Sequence, residues 1–384
     1  MTPGAPPSIP PVSPRFGGVR DFWQRVSEGR DIDDLWSQFA ADTRSSYGFY
    51  GKDVDWEQIH KLPAWKRPLR IAGQLFWAMM NKLTPARRVL LLTALTLLLL
   101  SSVQFQFGDN NRLEIKSEFV AALLFLLLLS LELADKVIMK RDLEIAREIQ
   151  AWLVPSEPPM ISGAEVAFWT RAQNSVAGDY YDAFYPLSDG ATGGKLMLVI
   201  ADVAGKSVPA ALLMATLQAS LRTLASEGMS LVQLTERLNR YACAHSLNGQ
   251  RFTTAIVALY DPATRHLEYV NCGHNSAVLR RADGSVDRLL SSSLPLGIDA
   301  GAAFSSNSAE LQPGDTLILF TDGVVEAFNS AGEEFSDSRW IDVIRALPRL
   351  SAQETLGQLM KSVEEFVGAT RQSDDITCLV LQTK

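Results

Sequence analysis

The run VLLLTALTLLLLSSVQFQF, residues 89–107, holds 19 residues without a charge. A helix of that length crosses a hydrocarbon layer of ~30 Å, and its leucine density leaves no polar face for water. Thr84 and Pro85 have the form of an N-cap and a first helical residue. A polar link, GDNNRLEIKSE (108–118), leads to a second apolar run, FVAALLFLLLLSL (119–131). At 13 residues this run spans only with Glu118 and Glu132 at the interfaces. We read 84–135 as a transmembrane helical hairpin with spans at about 89–107 and 118–134; the competing reading is a buried hairpin in a soluble domain. Lys82, Arg87 and Arg88 precede the pair, and Lys136, Lys140 and Arg141 follow it, whereas the link holds only Arg112 and Lys116. Positive-inside bias then predicts that both termini are cytoplasmic.

Residues 1–83 read as a partly disordered cytoplasmic region. Six prolines fall in the first 20 residues, and a short helix is expected over 31–43. Residues 61–88 carry seven cations and no acid. From 133 to 153 one helix is predicted, with Met139, Leu143, Ala146, Ile149 and Leu153 at steps of four, three, three and four. That pattern fits a short coiled-coil seam, or an amphipathic helix packed on the next domain. VPSEPP (154–159) stops it, so 136–159 is a linker helix that can carry a signal. A net charge of −7 argues against a nucleic-acid binder. Three cysteines and four histidines exclude a disulfide framework, a four-cysteine zinc site and a histidine cage.

Residues 160–384 change to short strands, expected at 165–172, 181–187, 195–202, 252–260, 266–272, 276–281, 285–290, 315–321 and 376–382. Tight links such as DPATR (261–265), ADGS (282–285) and QPGD (312–315) imply antiparallel hairpins. Helices are expected at 208–227, 230–246, 338–346 and 351–369. The class is α+β: two mainly antiparallel sheets packed together, with helices outside.

Aspartates recur where apolar strands begin or end. GDYYD supplies Asp179 and Asp182, LMLVIADVAGKS delivers Asp202, DTLILFTDG delivers Asp322, and SDDITCLVL opens with Asp374 and Asp375. Gathered carboxylates repel one another, and a divalent cation removes that cost. Oxygen-only donors favour Mg²⁺ or Mn²⁺ over zinc, and two such ions can activate a water and clamp a phosphate. No GxSxG elbow or GxxxxGK[ST] loop is present, so metal-activated water is the best-supported nucleophile. Each aspartate alone reads equally as a turn residue, and Lys206 as a solvated charge at a helix start. Their joint order is what carries chemistry.

Over about 140–384, the series GDYYDAF, IADVAGKSVPAALLMA, FTTAIVALYD, YVNCGHNSAVL, LPLGI, LQPGDTLILFTDGVVEAFN and SDDITCLVL resembles the metal-dependent protein phosphatases of the type 2C superfamily. Within it, the chain is most similar to bacterial SpoIIE/RsbU-type serine/threonine phosphatases. The resemblance implies an α/β/β/α sandwich and hydrolysis of phosphoserine or phosphothreonine by a water activated by two Mn²⁺ or Mg²⁺ ions. By position it implies Asp202 and Asp322 as catalytic, and Asp179, Asp202, the Val203 carbonyl, Asp322 and Asp374 as metal ligands. Asp182 is a second choice to Asp179, acting through water, and Asp375 is a supporting or turn residue. Ser207 replaces a common glycine, Ser276 and Ala277 replace two prolines, and Arg171 is not assigned to phosphate. His274, Cys272 and Cys378 read as structural. The resemblance also implies an anti-anti-sigma-like phosphoprotein substrate in a partner-switching pathway, whereas the apolar hairpin and its flanking charges predict residence in the cell inner membrane as a multi-pass protein. A homodimer through the linker helix follows from the layout. The alternative is a non-enzymatic membrane signalling scaffold with a phosphatase-like binding domain.

Overall fold

The structure is a computed structural model that describes residues 65–384 except 101–102, 108–110, 187–193, 206–207 and 246–250, together with residues 51, 54–56, 59 and 63; for 103–107 and 111–115 it describes backbone alone. The expected tail, the helix over 31–43, Lys206 and Ser207 lie outside the described residues. The chain divides into two compact units, Met1–Asp135 and Lys136–Lys384.

In the first unit, α1 (Arg67–Lys82) is followed after two residues by α2 (Pro85–Leu99). Thr84 and Pro85 stand at the N-cap and first turn of α2, as their types predict. The expected span over 89–107 is corrected at its end. The helix stops at Leu99, and Val103–Phe107 is a strand, β1, paired antiparallel with β2 (Asn111–Ile115). VQFQF alternates polar and apolar residues, and that period-2 pattern with two aromatics outweighs the lack of charge. α2 is therefore about 22 Å long at 1.5 Å per residue. A long helix, α3 (Ser117–Leu153), follows, continuous through the second apolar run and the linker. Arg87 of α2 donates to Glu132 at 2.9 Å and to Asp135 at 2.6 Å, and Ser117 Oγ donates to the Leu100 carbonyl at the other end. α2 and the start of α3 are thus an antiparallel helical hairpin. Leu123, Leu126 and Leu129 of α3 are exposed.

In the second unit, every strand pairing is antiparallel. One sheet has the order β10 (Asn307–Glu310), β7 (His266–Cys272), β6 (Thr253–Asp261), β5 (Leu196–Val203) and β4 (Asp179–Phe184). The other has the order β3 (Ala164–Arg171), β12 (Ile376–Thr383), β11 (Thr316–Phe320), β8 (Ala277–Arg280) and β9 (Val286–Leu289). Leu198, Ile200, Leu279, Leu317 and Leu379 fill the space between the sheets. The outer face of the first sheet packs on α4 (Val208–Ala225) and α5 (Leu231–Ala244) through Val199, Met214 and Leu234. The outer face of the second packs on α6 (Ser336–Ala346) and α7 (Ala352–Val367) through Ile318, Trp340 and Leu359. These four layers are the α/β/β/α sandwich. Strands buried on both faces explain why LMLVI and TLILF read as unbroken apolar runs. Ser230 and Ser351 close capping boxes at α5 and α7. Among the described strands of the second unit, β10 alone has no counterpart in the sequence reading: NSAE has little β propensity and pairs only at an edge.

Among the described residues two helices, α3 and α4, are long and apolar enough to cross a membrane by length and composition. α4 spends its apolar face on the first sheet, through Ala210, Met214, Leu217 and Leu221.

Candidate metal centre at one edge of the sandwich

Antiparallel pairing gathers the aspartates. β4 begins with Asp179 and β5 ends near Asp202, and register makes these two residues direct partners. In the second sheet, β11 pairs with β12 so that Phe320 faces Cys378; the exit of β11 toward Asp322 and the entry of β12 from Asp374 therefore lie at one edge. The two sheet edges meet through Asp179. Its Oδ2 accepts from Thr321 Oγ1 at 2.8 Å and from Thr377 Oγ1 at 2.6 Å.

Asp375 tightens the same junction. Its carboxylate accepts from the Gln173 and Gly178 backbone N–H groups, both at 2.6 Å. The turn after β11 comes so close that a Cβ on Gly323 would lie 1.9 Å from the Asp375 carbonyl oxygen. Only glycine allows that approach, and it brings Asp322 against the Asp374–Asp375 pair. Gly178 lies beside the Val203 carbonyl, though less tightly: a Cβ there would meet that oxygen at 3.3 Å.

The electrostatics report convergence. Burial, then the like charges of Asp322, Asp374, Asp375 and Glu326, push the Asp202 carboxyl up to about 7. Burial and Asp202 hold Asp179 well above the usual carboxylate range, despite its two threonine donors. Asp375 is also raised, chiefly by burial. Yet among the described residues no three His, Cys, Asp or Glu side chains stand close enough around one point to hold an ion as they are. Asp179 accepts from the two threonines, and Asp374 accepts from the Asp375 N–H at 2.9 Å. The donor set is all oxygen and largely withdrawn from water, which fits a hard divalent ion.

Asp182 is not in this group, which corrects its place as a ligand beside Asp179. Three positions along a strand reverse the face, so its side chain points to the helical layer. There it accepts from Arg222 Nε and Nη2, both at 2.8 Å, and from Tyr180 Oη at 2.5 Å. No sequence signal joins Asp182 to an arginine 40 residues later. Thr321 and Thr377 also escape the sequence reading, although each adjoins a motif aspartate.

His274 is a brace. One ring nitrogen lies 2.8 Å from Thr254 Oγ1 and the other 3.1 Å from the Phe320 carbonyl, so it ties the two sheets beneath the aspartates. Burial lowers its pKa to about 4 and keeps it neutral. Arg251 Nη1 donates to the Ala204 carbonyl at 2.9 Å, over Gly205, and steadies the turn that follows Asp202 and Val203.

Residues 192–384 match the family described as Stage II sporulation protein E (SpoIIE). The chain is 27% identical over 283 residues to Protein IcfG of Synechocystis sp., covering 66% of this chain and 43% of that protein. It is 27% identical over 251 residues to Phosphoserine phosphatase RsbP of Bacillus subtilis, covering 64% of this chain and 58% of RsbP. Phosphoserine phosphatase RsbU of Bacillus subtilis is 27% identical over 248 residues, at 64% and 71% coverage. The chain thus spans about half the length of the first two relatives. Among solved structures, the SiaA-PP2C domain of Pseudomonas aeruginosa superposes with a TM-score of 0.57 at 20% identity, covering 65% of this chain and 99% of that one. The PP2C phosphatase domain of SpoIIE from Bacillus subtilis, with a fragment of its regulatory domain, gives 0.50 at 20% identity, covering 58% and 64%. These two structures share the fold.

Proposed function

Since half of its length matches the SpoIIE family, this chain belongs to that family and carries its PP2C-type phosphatase domain, and we propose that it is a membrane-anchored, metal-dependent protein serine/threonine phosphatase. The observation that carries the reading is the pairing of Asp179 with Asp202 at the sheet edge where Asp322 and Asp374 raise the Asp202 carboxyl. Asp179, Asp202, the Val203 carbonyl, Asp322 and Asp374 are the groups that would hold two Mn²⁺ or Mg²⁺ ions. When bound, such ions supply a water of lowered pKa and neutralise charge on the phosphate. The chain's own residues do the rest. Thr321 and Thr377 orient Asp179, Asp375 pins the Gln173–Gly178 segment, and Gly323 lets Asp322 approach. Neutral His274 braces the sheets and carries no imidazolium proton for acid catalysis near neutral pH. No side-chain nucleophile is needed, so no phosphoenzyme forms.

The substrate is a phosphoserine or phosphothreonine protein of the anti-anti-sigma-like type used in partner switching, a reading supported by the likeness to RsbU and RsbP. Anchoring is through the α2–α3 hairpin, with both termini on the cytoplasmic side of the cell inner membrane. α3 continues from the hairpin into the phosphatase unit and serves as the linker through which two copies pair.

The test is phosphate release by the purified chain from a phosphoserine protein, with Mn²⁺ and with chelator, for the natural sequence and for Asp202→Asn and Asp322→Asn. Metal-dependent release that both variants lose is the expected result. Release that persists in either variant overturns the ligand assignment. No release from any phosphoprotein leaves the scaffold reading, and faster turnover of a small phosphate ester moves the substrate class.

A further inference from the structure

α1 lies just ahead of the apolar hairpin, and nothing so far gives it a task. Leu69, Gly73 and Trp77 follow one another at four-residue steps along α1, and Trp65 continues that spacing in the turn just before the helix. Trp65, Leu69 and Trp77 are 76%, 83% and 62% exposed, which is unusual for large apolar side chains. One position along, Lys66 and Arg70 repeat the same spacing, with Lys82 at the helix end. These residues line one groove of ≈ 1190 Å³, in which Asp55 is the one acid among the lining residues. Ala78 and Met80, farther along α1, are buried within the unit, while Leu69 and Trp77 stay exposed. Lys66 Nζ stands 4.8 Å from the centre of the Trp65 ring, a charge held beside an aromatic plane.

We propose that the Trp65–Leu69–Trp77 side of α1 lies on the anionic surface of the bilayer, its aromatic stripe at the headgroup level and Lys66 and Arg70 against lipid phosphates. The inference builds on the membrane reading of the hairpin. Three observations favour a bilayer over a protein partner. Residues 61–88 hold seven cations and no acid, a bias that attracts anionic lipid. Tryptophan, with an apolar body and one N–H, is the side chain suited to the boundary between hydrocarbon and water. Only Leu83 and Thr84 separate α1 from α2, so this stripe lies directly ahead of the apolar hairpin in the chain. Arg88 donates to the Leu83 and Asn81 carbonyls at 2.9 and 2.7 Å, which fixes the turn between the two helices. α1 then leaves the hairpin in one set direction, as an anchor lying in the interface must.

Gly73 supplies a clean probe, because a Cβ there meets nothing within 4 Å. The full chain is placed in nanodiscs of phosphatidylcholine, or of phosphatidylcholine with phosphatidylglycerol, with brominated acyl chains. Tryptophan quenching is read as the difference from the Trp65→Phe/Trp77→Phe variant. The expected result is strong quenching in the anionic discs, which falls at high salt and is lost in Gly73→Glu and in Lys66→Gln/Arg70→Gln. No quenching of these two tryptophans in anionic discs overturns the proposal. So does a disulfide between two chains carrying Leu69→Cys, which would make a second copy the occupant. Alkaline carbonate extraction tests the hairpin separately. A chain that resists extraction but shows no Trp65 or Trp77 quenching keeps its anchor and loses this interface. A chain that is extracted yet quenched on anionic vesicles keeps the interface and loses the spanning reading.

Discussion

Gln150 and Ala177 exchange two hydrogen bonds: Gln150 Nε2 donates to the Ala177 carbonyl at 2.8 Å, and the Ala177 N–H donates to Gln150 Oε1 at 2.9 Å. The next residue, Gly178, gives its N–H to Asp375, and Asp179 follows. The last turn of α3 is therefore one peptide away from the carboxylate cluster. Gln218 Nε2 fastens the same helix end by donating to the Leu153 carbonyl at 3.0 Å. Gln150→Ala removes two bonds worth ~1 kcal/mol each, and the segment before Asp179 should loosen. We expect faster hydrogen exchange at Ala177 and a Mn²⁺ affinity weaker by roughly tenfold. Unchanged exchange and affinity would show that the helix end is a passive contact.

Asp182 and Arg222 make a second, separate prediction. Asp182 has no exposed side-chain surface, whereas Arg222 is 42% exposed. Arg222→Ala strands a buried carboxylate, at a cost we place at about 2 kcal/mol, below that of a fully enclosed pair. Lysine should restore only part, since it lacks the two-pronged geometry. Urea unfolding measures the loss. Mn²⁺ binding by the folded variant should be unchanged, and a folded variant that no longer binds Mn²⁺ would return Asp182 to the metal site.

The Asp202 carboxyl sets a pH dependence. Its folded pKa of about 7 lies above the ordinary carboxyl value of 3.8. Below pH 4 both states hold the proton and the group contributes nothing adverse. As pH rises toward 7 the unfolded chain releases its proton first, so the folded state loses stability, by a few kcal/mol at most. Asp202→Asn should thus be more stable than the natural chain at pH 8 in chelator, and the gap should close toward pH 4. Mn²⁺ should raise the melting temperature of the natural chain most at the alkaline end. A gap that is absent or reversed at pH 8 contradicts the electrostatic account.

Gly323 gives a steric prediction. A Cβ placed 1.9 Å from the Asp375 carbonyl must displace backbone, not a flexible side chain. Gly323→Ala should lower stability by about 2 kcal/mol and cut phosphate release more than the stability loss explains, because Asp322 moves with the turn. Thermal unfolding alongside turnover separates the two effects; natural values for both would refute the close approach.

Most of the sandwich was legible because its strands are continuous apolar runs closed by turn residues, and each signal lies within about ten neighbours. LMLVIAD and TLILFTDG announced both the strand and the aspartate at its exit. Two segments mislead locally: VQFQF lacks charge and so reads as an extension of the apolar span, although its alternation is that of a strand, and the cations ahead of the hairpin mask the helical spacing of α1.

The order of residues alone determined the layers, the strand-end aspartates and the oxygen-only chemistry, since these follow from side-chain type and short-range period. Which aspartates share a site was decided only in three dimensions. Asp179 and Asp182 look alike in GDYYD, but the pleat sends one toward Thr321 and Thr377 and the other to Arg222. That choice depends on which sheet or helix covers each face, and those covering elements come from parts of the chain too distant for any local pattern to record.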